Sequence, residues 1–194
     1  MTSDPDPKWG TGGRWILLAI LFFALAVRLG WGLSRPTTDA AIDALPDQRD
    51  YLSLAQNLLK GQGLAFVDNR FDDVAKAFRT PGYPLFLAAC GAKLRLARSV
   101  QALLDTSTVL AIYILAQLLI HDDRRRPIGL LAAAIVAVNP FLIYFSALLL
   151  TETLFTAMLA WAMVPTKGSN ALPAGCSGFA TLAVHGLLLA LLEM

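Results

Sequence analysis

The hydrophobic pattern divides the chain into long apolar runs separated by polar segments of unequal length. Trp15 to Leu33 forms the first run, about as long as the roughly 20 residues that cross a hydrocarbon core, with Arg14 before it and Trp15 and Trp31 near its ends. Its length and its lack of a small-residue cleavage site mark a retained anchor rather than a removed signal. Residues 100–120 predict a second span and residues 128–149 a third, kinked at Asn139 and Pro140 because proline removes a backbone donor. Residues 153–164 predict a fourth span, and residues 179–194 a fifth, after a loop carrying Lys167. The expected fold is all-α: a polytopic transmembrane helix bundle, forming one transmembrane domain over residues 15–194 after a cytoplasmic tail of residues 1–14.

Between the first two spans lies an outer loop, residues 34–99, that holds half of the acidic residues. Within it, "PDQRDYLSLAQNLLKGQG" reads as a short amphipathic helix at the membrane surface. Tyr51, Leu54, Ala55, Leu58 and Leu59 recur at helical spacing, and Gly61 stands where the helix would stop. Asp47 is the expected N-cap, with Asp50 in the first turn, an arrangement that complements the helix dipole and keeps both carboxylates ionised. Helix capping accounts for both residues. An ionised carboxylate at the water side of a membrane can equally accept a proton or hold a cation. Residues 64–78 contain a short segment that fits strand or helix. Tyr83 to Ala92 is apolar but too short to span, which suits a segment lying along the interface.

Orientation follows from "HDDRRRP". Its three consecutive arginines place residues 121–127 in the cytoplasm by the positive-inside rule, so residues 34–99 are expected outside. Lys93, Arg95 and Arg98 then lie on the unexpected side unless something anionic is there. Composition agrees with a membrane protein, at 56% hydrophobic and 15% charged residues. A net charge of +2 with scattered basic residues excludes a nucleic-acid-binding face. Cys90 and Cys176 have apolar or small neighbours and no metal spacing, and His121 and His185 have no ligand partner at metal spacing. Arg28, Asp105 and Glu152 are charges inside otherwise apolar stretches. Arg28 and Asp105 should pair or snorkel, and Glu152 should reach an outer turn or a polar cavity. Arg79 reads on its own as an interface anchor.

Four of these features, in this order and spacing, resemble the GT-C fold membrane glycosyltransferases that use polyprenyl-phosphate sugars, above all the dolichyl-phosphate-mannose protein mannosyltransferase-like group and the bacterial transferases that modify lipid A. They are Asp47 and Tyr51 in "DQRDYLSLAQNLLKGQG", "RTPGYPLFLA" from Arg79, Arg98 with "QALLD", and "SALLLTETLF" with its acidic turn. The resemblance implies an inverting hexosyl or pentosyl transfer from a polyprenyl-phosphate donor to an acceptor hydroxyl of a lipid, glycan or protein on the extracytoplasmic side. It implies Asp47 as catalytic base, and it implies that Tyr51, Arg79, Arg98 and Glu152 contact substrate, with an arginine beside the lipid phosphate. The implied location is a bacterial inner membrane, multi-pass and in contact with membrane lipids. A divalent metal serves some members, yet Phe78 stands where those carry a glutamate. Members are longer, with more spans, so the expectation is an N-terminal portion only, an incomplete module truncated or completed by a partner. The alternatives are a transporter or flippase component, with Arg28, Asp105 and Glu152 along its path, and a non-catalytic membrane scaffold.

Overall fold

The computed structural model describes residues 12–68, 73–76 and 79–164. The expected fifth span, the Lys167 loop, Cys176, His185 and Phe78 lie outside these. Two described helices are long and apolar enough to cross a membrane: α1 (Gly12–Ser34) and α5 (Leu94–Leu119). Arg98, in the first turns of α5, reaches the carbonyls of Arg35 and Pro36 just past the end of α1. The two long helices are therefore antiparallel, and everything between them returns to one end.

The remaining helices are shorter than the pattern predicted. The run expected as one helix over residues 128–149 divides into α6 (Arg125–Ala137) and α7 (Pro140–Phe145), and the next is α8 (Glu152–Ala162). At ~1.5 Å per residue, α6 rises about 20 Å and α8 about 17 Å, less than the ~30 Å of a hydrocarbon core. Both pack on α5, and α1 packs on α5 and α6. The break is more than the predicted kink. Pro140 brings no N–H to the Val136 carbonyl, and the Asn139 side chain accepts from the N–H groups of Phe141 and Leu142, which starts a new helix. Replacing Asn139 with alanine should cost about 1 kcal/mol, read from detergent-resistant unfolding, with the fold otherwise kept.

Arg28 closes the broken end of α6. Its guanidinium donates to the carbonyls of Ala137 at 2.9 Å and Val136 at 3.2 Å, and it pairs with Asp105 of α5. A cation suits this place because helix C-terminal carbonyls carry partial negative charge. Arg28 and Asp105, expected to pair or snorkel, pair, and both are fully buried. Small residues let these helices approach: Ala24 and Gly32 flank Arg28 on α1, and Gly129, Ala133 and Ala137 form one buried stripe on α6. A Cβ added at Gly129 would stand 3.2 Å from the Tyr113 ring. Large apolar side chains such as Trp15, Phe22, Leu131 and Ile135 point outward instead. An apolar exterior over small-residue seams is the arrangement of helices solvated by lipid.

The segment between the two long helices builds a cap on one end of the pair. It contains α2 (Asp39–Asp43), α3 (Pro46–Leu59), a two-stranded antiparallel hairpin of β1 (Ala65–Asp68) and β2 (Asp73–Lys76), and α4 (Gly82–Ala89). Among the described residues the fold is thus helical apart from one short hairpin, which the segment read as strand or helix supplies. α3 stops as expected. Gly61 takes a positive φ, and the N–H groups of Gly61 and Gln62 return to the Leu58 and Asn57 carbonyls. Of the predicted face, Tyr51, Leu54 and Ala55 are buried and Leu58 is half-buried, while Leu59 is exposed; Gln48, Asp50 and Leu52 extend the buried face toward the start of the helix. α4 rises only about 12 Å, too short to cross a hydrocarbon core, and ends in the same glycine-closed turn at Gly91. The cap has its own core, in which Ile42, Tyr51, Leu52, Tyr83 and Leu87 meet Ala97 of α5 and Leu149.

Candidate functional site

The site assembles where α3, the approach to α4 and the start of α8 meet. Pro46 occupies the first helical position of α3 and Leu45 the cap, so Asp47 is in the first turn and caps nothing. This overturns the N-cap expectation. The carboxylates of Asp47 and Asp50 turn instead to one guanidinium, that of Arg79, with Asp50 at 3.0 Å. The spacing of three explains the geometry, since residues i and i+3 share a helix face. Asp47 remains half exposed, whereas Asp50 is nearly covered.

Tyr51, one turn beyond Asp47, lies beneath the same arginine, whose guanidinium carbon is 5.5 Å from the ring centroid. Tyr51 in turn meets Tyr83 of α4 edge to face at 5.0 Å. Thr151 and Glu152 lie near enough to act on its hydroxyl, and the charge of Glu152 reaches the Tyr83 phenol as well. Asp47, Tyr51, Arg79 and Glu152, singled out from three separate segments, therefore converge. Arg98 does not join them. Its Nε donates to the Ala147 carbonyl at 3.0 Å and its terminal nitrogens to Arg35 and Pro36.

Arg98 serves the site indirectly, through the turn that carries Thr151 and Glu152. Residues 146–151 are irregular and partly buried, so their backbone groups need partners from elsewhere. Arg98 takes the Ala147 carbonyl, Gln101 donates to the Leu148 carbonyl at 2.7 Å, and Gln48 accepts from the Leu149 N–H at 2.9 Å. The Tyr83 hydroxyl donates to Gln101 Oε1 at 2.9 Å, which fixes the amide's direction. Gln48, Tyr83, Gln101 and Thr151 are thus positioning residues missed by the sequence reading. A glutamine in an apolar helix, such as Gln101, is the signal that could have pointed there.

Electrostatically, Asp47 and Asp50 both act on the Arg79 guanidinium, while the charge of Glu152 reaches the two phenols. For Arg79, burial works against the charge, but the hydrogen bond to Asp50 and the charge of Asp47 win and raise its pKa. Burial raises the Tyr51 phenol, an effect that the Arg79 charge and the nearby Thr151 side chain only partly offset. Burial also raises Tyr83 well above its ordinary value. Raised phenol pKa values stabilise the fold fully below about pH 10, where an unfolded tyrosine is still neutral, and that stability is lost as pH climbs through the folded values. Ultraviolet titration of phenolate should show Tyr51 and Tyr83 ionising late, together with opening of the cap.

The residues present do not fit a divalent metal. Asp47 and Asp50 already enclose a guanidinium, and among the described residues no group of three or more His, Cys, Asp or Glu side chains could hold an ion. Comparison of the chain with family models, curated proteins and solved structures gives no match.

Proposed function

We propose that the chain is a multi-pass membrane glycosyltransferase, or the N-terminal part of one, that moves a sugar from a polyprenyl-phosphate donor to an acceptor hydroxyl on the extracytoplasmic side of a bacterial inner membrane. The observation that carries the reading is the gathering of Asp47, Tyr51, Arg79 and Glu152 at one end of α5, the end opposite the arginine triplet. α5 is about 39 Å long at ~1.5 Å per residue, enough to separate two aqueous faces.

Half exposed at the mouth of the cluster, Asp47 takes the proton of the acceptor hydroxyl as its oxygen attacks the anomeric carbon. The bond from that carbon to the phosphate oxygen breaks, and the electron pair leaves with the polyprenyl phosphate. Configuration inverts because attack and departure are on opposite faces. Arg79 holds the departing phosphate, for which a planar guanidinium is suited, exchanging part of its hold on Asp47 for phosphate oxygens. Tyr51 orients Arg79 from below, and Glu152, in the first turn of α8, contacts the sugar or acceptor.

A transport role loses support from Arg28 and Asp105, which a conducting path would need and which instead bind each other. The test is transfer of radiolabel from polyprenyl-phosphate sugars in membranes expressing the chain, compared with Asp47→Asn. Label transfer that is present in the wild type and lost in the variant, at equal membrane levels, supports the reading. Equal transfer by both would end it.

A further inference from the structure

A second polar cavity opens at the same end of the bundle, a cleft of about 260 Å³ lined by Arg35, Pro36, Gln48, Arg98 and Tyr144 among others. Arg98 is 4% exposed, and its hydrogen bonds run to neutral carbonyls. Arg35 stacks over Trp31 at 4.7 Å and is near enough for its charge to act on Arg98. Neither arginine has a carboxylate partner among the described residues; Asp39 and Asp43 on α2 are paired with Arg49. Gln48, 3% exposed, gives its carbonyl oxygen to the Leu149 N–H, while its amide nitrogen, at the cleft wall, donates to no protein atom among the described residues.

Two neighbouring cations without a counter-charge, one of them buried, are costly in a medium of low polarity, and the Gln48 amide leaves a donor facing the cleft beside them. An anion with several acceptor oxygens relieves both at once. Arg35 immediately follows the membrane-length helix α1, and Trp31 occupies its last turn, the level at which aromatic rings and lipid headgroups lie. We propose that this cleft binds a phosphate anion, carried into it beside Trp31 by the headgroup of an acidic phospholipid. The inference is independent of the glycosyltransferase reading.

The test uses the full chain in uncharged detergent, with thermal stability followed during titration by short-chain phosphatidylglycerol, short-chain phosphatidylcholine or inorganic phosphate. Phosphatidylglycerol should stabilise saturably and phosphatidylcholine should not. Arg35→Gln should weaken the apparent affinity about tenfold, the loss of one charged hydrogen bond. Gln48→Glu keeps the acceptor for Leu149 but places a negative charge in the cleft, and it should abolish the effect. Lys60→Gln, at the far end of α3 from the cleft, should leave it intact. Equal stabilisation by inorganic phosphate would uphold the anion site but overturn its lipid source. No stabilisation by either, or unchanged affinity in both cleft variants, would overturn the proposal.

Discussion

Replacing Asp105 with alanine should cost about 3–5 kcal/mol, the largest stability loss expected from any single substitution in the described chain. The reason is what the change leaves behind. Arg28 is fully buried and anchored by the Val136 and Ala137 carbonyls, so it cannot withdraw to water when its carboxylate is removed. An uncompensated guanidinium would then sit between α1, α5 and α6, against a single carbonyl cluster. Asp105→Asn keeps an acceptor for Arg28 and should lose roughly half as much, since the hydrogen bond survives and the charge does not. Asp122→Ala removes an exposed pair with Arg124 and should change stability by less than ~0.5 kcal/mol. Titration of the detergent-purified protein with a denaturing surfactant ranks the three variants. A loss at Asp105 no larger than that at Asp122 would show that the bundle does not depend on the pair.

Asp47→Asn should lower sugar transfer about 10²–10⁴-fold, the usual contribution of a general base. Its effect on stability should stay below ~1 kcal/mol, because the lost pair with Arg79 is half exposed and Asp50 still holds the arginine. This split separates a catalytic from a structural aspartate. Asp50→Asn offers the comparison: nearly covered and 3.0 Å from Arg79, it should loosen the arginine and disturb the cap more than the chemistry. If the rate and the stability of Asp47→Asn fell together, Asp47 would be a strut of the cap rather than its base.

The two long helices were legible because lipid imposes a simple rule, an uninterrupted apolar length, and the end of α3 at Gly61 was legible because only a residue without Cβ takes that turn easily. The same rule failed beyond residue 128. An apolar run does not reveal whether it crosses or breaks, and here Arg28, distant in sequence, stabilises the broken end of α6. The start of α3 was misjudged for a related reason. Asp47 and Asp50 satisfy the statistics of a cap, but a guanidinium 32 residues further along outcompetes backbone N–H groups for them. The roles expected of the five candidate site residues came from motif order rather than local physics, and no local pattern could have distinguished Arg79 from Arg98. Their difference is tertiary: Arg79 meets carboxylates, Arg98 meets carbonyls.

The account depends most on the two ends of α5 facing different compartments. In a cysteine-free background made by Cys90→Ala and Cys176→Ala, single cysteines at Gln56, exposed on α3, and at Asp123, exposed beyond α5, can be probed in intact cells with a membrane-impermeant maleimide. The account predicts that Gln56→Cys is labelled directly and Asp123→Cys only after the membrane is permeabilised. Labelling of both from outside would contradict it.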